Sequence, residues 1–233
     1  MGKKYELTDE TIEYDGRKLH RIKALTFFGN VKAGEIGGWI ESESNLSQEG
    51  NAWVFDNAKV YGNAQVCDNA KVYDNAIVHD NAKIYGNAKV HENSLVYNNA
   101  KVYEDARIFG KARVYGNARV YGKPWAFGNA RAYDDAEIYA SAWLCGNAEV
   151  GDNADISERE HILDIGFIGS RARNTTFFRT KNKEISVICG CFKGSIDDFE
   201  KAIEETHGDN KHGRVYKLAI AMAKEQIELG KFY

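Results

Sequence analysis

From Val54 to Ile156 an aliphatic or small residue returns at every sixth position, which makes eighteen consecutive hexads. Four residues after each one comes Ala, with Ser94, Pro124 and, after the last hexad, Glu160 as the exceptions. The run from Val114 to Arg119 (Val-Tyr-Gly-Asn-Ala-Arg) is a clean unit, and Ile84 to Lys89 is another. A fixed period of this kind decides architecture before any local propensity does. Strand alternation turns the aliphatic residue and the Ala two positions before it inward, and the residues flanking the aliphatic outward. The two positions that follow are Asp-Asn or Gly-Asn in most units. Asn and Gly accept the left-handed backbone region of a sharp corner. Each hexad is therefore expected to be a short strand and a corner, with three hexads closing a triangular coil.

The flanks of this stretch follow other patterns. Residues 1–39 alternate as β, with Asp15 and Gly16 as a hairpin turn and Lys18 to Leu25 as the return strand. A stack of coils leaves open edges, so this segment is expected to cap one end. Ile40 and Leu46 begin the coil irregularly, and two extra residues delay Val54. Beyond the hexads, Ile162 to Ile168, Thr175 to Thr180 and Glu184 to Cys189 read as strands. Ser195 opens a helix to Thr206, and a second runs from about His212 to Leu229, with Val215, Leu218, Ala219, Met222 and Ile227 as its expected buried face. The expected units are an N-terminal β cap over 1–39, a repeat domain over 40–156 and a small α+β domain over 157–233.

The pattern aliphatic-x-x-x-small-x resembles the hexapeptide repeat of left-handed parallel β-helix proteins. That resemblance implies a mainly β fold of six to seven left-handed coils, and assembly as a homo-oligomer, most often a trimer. Residues Gly37 to Glu43, the Gly-Asn-Ala units and the stretch Gly190 to Gly194 together resemble a family of uncharacterised phage and prophage proteins.

Composition narrows the function classes. A net charge of −3 and a pI near 6.1 provide no global basic field to recruit nucleic acid. There is no long apolar run for a membrane span. The start, Met1 to Glu6, lacks the apolar core of a signal peptide, so a cytoplasmic location is expected.

Candidate chemistry lies at the exceptions to the repeat. Arg171, Arg173, Arg179, Lys181 and Lys183 fall within thirteen residues that contain no acid, with Ser170 and Thr176 beside them. Guanidinium forks and hydroxyls are the groups that hold an anion. With His207 and His212 they form the expected ligand site of a non-catalytic protein that holds an anionic small molecule, a nucleotide or host-defence signal, without a cofactor. Cys189, Cys191, His207 and His212 also have spacings that occur in zinc sites, but lack the usual C-x2-C, and no metal is assigned. Ile77 with Leu95, and Trp125 with Trp143, stack on two faces and mark expected interfaces. The alternatives are an acyltransferase using His79 or His91 as general base, as the β-helix resemblance implies, and a structural or host-protein-binding module.

Overall fold

The computed structural model describes residues 2–230. Strands β1 (Tyr5–Tyr14), β2 (Arg17–Ala24) and β3 (Ile36–Ile40) form an antiparallel entry to the repeat. Eighteen two-residue strands follow, from β4 (Trp53–Val54) to β21 (Asp155–Ile156). They stack into three parallel sheets in which each strand pairs with the one eighteen residues on, as Leu95 with Arg113 and Val96 with Val114. The result is a parallel β-solenoid. β3 pairs in parallel with Lys59–Val60, and Leu46 bridges to Val66, so an irregular first coil precedes the regular ones. There the spacing is twenty residues rather than eighteen, which accommodates the two extra residues before Val54.

The interior is a column of Val, Ile and Leu alternating with Ala, nearly all fully buried. Each outward strand residue donates its N–H to the next coil; Tyr97 N to Val114 O is 3.0 Å. The corners refine the sequence expectation. The left-handed residue is the first of the pair, and it is often an acid: Asp68, Asp74, Asp80 and Glu92 have φ between 57° and 58°. Their carboxylates accept the backbone N–H of the matching residue one coil on, as Asp74 does from Glu92 at 3.1 Å. The Asn that follows contributes its side chain instead. Asn63, Asn81, Asn99, Asn117 and Asp135 form a ladder in which each Nδ2 donates to the next Oδ1 at 3.0 to 3.1 Å.

Both ends of the column are closed by different means. At the first coil Tyr5 and Phe28 pack edge-on against the buried Trp53. At the last, an antiparallel sheet of β22 (Ile162–Ile168), β23 (Arg173–Arg179), β24 (Ile185–Cys189) and β25 (Phe192–Ser195) sits across the opening. Period-two alternation splits its side chains: Phe178 and Ile188 join the solenoid core, while Phe177 and Val187 join the core beneath the helices. Thr180 bridges Ala154, and Lys181 N donates to Asn153 O at 2.8 Å.

Helices α1 (Ile196–His207) and α2 (Lys211–Gln226) cover the far side of that sheet. Ser195 Oγ caps α1 by accepting from Asp198 N at 3.1 Å. α2 buries Tyr216, Ala219, Ile220 and Ala223. Leu218 and Met222, expected inside, are exposed. The helix carries apolar residues on two faces, and the aromatic Tyr216 wins the inner one by filling the space beside Phe199. Among the described residues no helix is long and apolar enough to cross a membrane.

Candidate functional site

The Arg/Lys segment does not converge on one ligand. Ser170, Arg171, Arg173 and His207 line a cavity of about 510 Å³ between β24 and the helices, along with Cys189 and Tyr216. Arg179, Lys181 and Thr176 turn elsewhere. Arg179 is buried against the last coil: Nη2 lies 3.0 Å from Asp155 Oδ2, Nε donates to Asp155 O at 3.0 Å, and Nη1 meets His161 Nε2 at 2.7 Å. Lys181 pairs with Glu137 at 2.9 Å and Lys183 with Asp155 at 3.1 Å. Thr176 donates to Asp164 Oδ1 at 2.9 Å and accepts from Glu149 N at 3.2 Å. Alternation along β23 sends Thr176 to the solenoid side, while Arg173 and Arg179 share a parity and are separated by lying at opposite ends of the strand. The acids that neutralise Arg179, Lys181 and Lys183 come from the final coils, far away in sequence. His212 lies beside His207, ring centroids 5.9 Å apart, but does not line the cavity. Among the described residues no three His, Cys, Asp or Glu side chains gather as a metal site, and this includes Cys189 and Cys191.

Burial and the Arg179 guanidinium push the His161 imidazole down to about 4. The neutral ring meets Arg179 Nη1 at Nε2, 2.7 Å away, and its Nδ1 lies 3.2 Å from Ser157 N, Ser157 Oγ and Glu158 N. This cluster was not apparent in the sequence. It fastens the C-terminal sheet to the solenoid.

The expected interface residues occupy ladders. Trp125 and Trp143 stack in parallel at 5.4 Å, with the Arg159 guanidinium 3.5 Å from the Trp143 ring centroid. Ile77 packs against Leu19, Trp39 and Tyr61, beneath the β1–β2 hairpin, so it is partly covered within the chain. Leu95 is half-buried beside it in the same sheet.

The two coil histidines differ in surroundings. His91 stacks between Tyr73 and Phe109, and burial holds its imidazole below the ordinary value. Its nearest carboxylates, Asp74 and Glu92, stand 3.8 and 3.9 Å from Nδ1, beyond hydrogen-bond distance. His79 stacks between Tyr61 and Tyr97 at 5.0 and 5.1 Å. Its Nδ1 lies 3.2 Å from Asp80 Oδ1. The other oxygen of Asp80 accepts from Asn98 N and Nδ2, both at 3.0 Å. Burial opposes ionisation of Asp80, but these bonds and the imidazole outweigh it and hold the carboxyl below its usual range. A carboxylate at this distance from Nδ1 favours the tautomer with its proton on Nδ1 and its lone pair on Nε2.

Asp80 also lines an open polar groove of about 640 Å³ along one corner of the solenoid. Asn63, Asn81, Asn99 and Asn117 form its floor, and Arg17, from the hairpin tip, stands at one end. Arg17 is held there by Glu41 at 2.9 Å, whose other oxygen accepts from Gly62 N at 2.7 Å. The hairpin thus adds a non-repeating residue beside an otherwise repetitive corner.

A parallel β-solenoid of hexads, with an imidazole–carboxylate pair beside a corner groove, is the class these features define. Residues 64–80 and 112–125 match a family described as the YdcK β-solenoid repeat, and the first of these stretches includes His79 and Asp80. The chain is 42% identical over 62 residues to a protein of Escherichia coli (strain K12) described as the uncharacterized acetyltransferase YdcK. That match takes in 23% of this chain and 19% of the relative, so it spans about a fifth of the relative's length. This likeness overturns the expectation of a non-catalytic nucleotide-binding protein. The physical reason agrees with it, because Arg179 and Lys181, on which that expectation leaned, are neutralised inside the fold.

Proposed function

We propose that the chain is an acyltransferase, with acetyl as the transferred group and the His79–Asp80 pair as its catalytic base. The observation that carries this reading is the carboxylate fixed on His79 Nδ1 at the edge of an open groove, taken with the likeness to an E. coli protein described as an acetyltransferase.

In this reading an acceptor hydroxyl or amine lies in the groove and gives its proton to His79 Nε2 as it attacks the carbonyl carbon of an acyl thioester. The acyl–oxygen or acyl–nitrogen bond forms, the carbon–sulfur bond breaks, and the proton passes from Nε2 to the departing thiolate. Asp80 keeps the imidazole in the required tautomer and stabilises its cation while it holds that proton. The ring stack of Tyr61 and Tyr97 fixes the plane of the imidazole, so little orientation is lost on binding. The Asn ladder offers amide donors and acceptors of one spacing, a lining that suits a polar acceptor rather than an apolar one. His91 lacks a carboxylate within bonding distance of its ring, and the groove is lined by Asp80, the neighbour of His79, so His91 is the weaker base.

The test is thioester cleavage by the full chain given acetyl-coenzyme A and a panel of amine and hydroxyl acceptors, with the acetylated product identified by mass. Product that depends on Asp80 (lost or strongly reduced in Asp80→Asn) supports the reading. Absence of product across the panel contradicts it.

A further inference from the structure

The outward face of α2 is an unpartnered surface with a definite charge order. Leu218 is 67% and Met222 54% exposed. With Lys211, Arg214, Ala221 and Glu225, all exposed, they lie on one stripe at spacings of three, four and seven. The stripe is basic at the helix N-terminus, apolar in the middle and acidic at the C-terminus. This order runs against the helix's own dipole, which favours acids at the start and bases at the end. Charges so placed do not complement the dipole of α2, although Arg214 also donates to the Asp209 carbonyl just before the helix. The neighbouring charges are treated differently: Lys217 pairs with Glu204 and Asp209, and Lys224 with Glu200, all within the chain. Among the described residues Lys211, Arg214 and Glu225 have no such ion-pair partner.

We infer that this face is the docking site for α2 of a second copy of the chain, lying antiparallel across a two-fold axis. Centring the axis between Leu218 and Met222 sets Leu218 of each copy against Met222 of the other. The same register brings Arg214 to the other copy's Glu225, twice by symmetry. Basic, apolar and acidic segments then meet acidic, apolar and basic ones, and the two dipoles oppose. The arrangement is self-complementary, which a foreign partner does not require. A single helix pair buries less than the ~1,000 Å² of a stable interface, so the association is reversible and concentration-dependent. It is independent of the acyl-transfer reading, since α2 is remote in the chain from the groove.

Sedimentation velocity of the full chain over a range of concentrations tests this. The wild type is expected to shift towards twice the mass that Leu218→Lys/Met222→Lys shows at the same concentration. Any association through the solenoid is common to both proteins and cancels from that ratio. Arg214→Glu is expected to weaken the association about tenfold, and Arg214→Glu/Glu225→Arg to restore it, because the exchanged charges face each other again. Both positions are exposed, and circular dichroism confirms that the variants fold. Equal masses for wild type and Leu218→Lys/Met222→Lys at every concentration overturn the proposal. So does a double exchange no stronger than Arg214→Glu alone, or a doubled mass that proves to contain a foreign polypeptide.

Discussion

The solenoid and the C-terminal sheet bury their residues by opposite strategies. In the solenoid each coil repeats the last, and stability is spread over many small, nearly equivalent contacts such as the Val and Ala column and the Asn rungs. At the junction with the C-terminal sheet a few unlike groups, Arg179, Asp155, His161 and Lys183, hold two elements together in one polar cluster. Distributed contacts tolerate the loss of any one; a concentrated cluster does not. A repeat is also poor at defining a unique site, so chemistry is best sought where something breaks the repetition. His79 replaces a Tyr in its ladder, and Arg17 enters from outside it.

This contrast can be broken most sharply at Arg179. Arg179→Met leaves the buried Asp155 with Lys183 alone as its cation and is expected to cost about 3 kcal/mol. Arg131→Met, which removes an exposed ladder pair with Glu149, is expected to cost under ~1 kcal/mol. Urea unfolding of both variants measures the difference, and equal losses would end the distinction between spread and concentrated stability.

Acid should act on the same junction. His161 takes its proton near pH 6.5 when unfolded but only at about 4 when folded. Between these values the unfolded chain holds more protons, so stability falls as pH drops from 6.5 to 4. It is fully present above that window, and on the order of 2–3 kcal/mol is lost across it. Asp155, whose carboxyl is held below its usual range, adds a loss of the same sign at the acid end. Hydrogen exchange at pH 7 and pH 4.5 should show β22 and β23 losing protection before the central coils do. Uniform loss along the chain would argue against a junction that titrates on its own.

A corner glycine gives a smaller effect. Gly116 has φ of 66°, and a Cβ there would meet Asp134 N at 2.6 Å. Gly16, in the hairpin, has φ of 69° but nothing within 4 Å. Gly116→Ala is expected to cost about 2 kcal/mol and Gly16→Ala about 1 kcal/mol, readable as shifts in melting temperature. The gap between them measures how closely the coils approach at a corner. The smallest change should come from one rung: Asn99→Ala removes amide bonds to Asn81 and Asn117 at the surface and is expected to cost about 0.5–1 kcal/mol.

Periodicity made the solenoid legible because every hexad votes for the same architecture. The strands fall where the aliphatic positions put them, three to a coil. The corners were half legible: Gly and Asn signal a turn, but only the stacked geometry shows that Asp and Glu hold the left-handed position while Asn bridges coils. The site was less accessible. A basic stretch without local acids looks like an anion site, yet Asp155 and Glu137 reach Arg179, Lys183 and Lys181 from coils that the sequence does not place nearby. Helix α2 has apolar residues on two faces, so its period does not choose between Tyr216 and Leu218. His79 and Asp80 are neighbours in sequence, but their value as a pair depends on a side-chain contact and on a groove headed by Arg17, neither of which a period records.

The most direct measurement compares thiol release from acetyl-coenzyme A, with a productive acceptor, by wild type, His79→Ala and His91→Ala. Both substitutions remove an imidazole stacked between two aromatic rings, so the loss of ring stacking is common to both. The account predicts that His79→Ala lowers kcat/KM by about 10²- to 10⁴-fold while His91→Ala stays within a few-fold of wild type. Turnover that survives in His79→Ala, or that is lost equally in both, would contradict it.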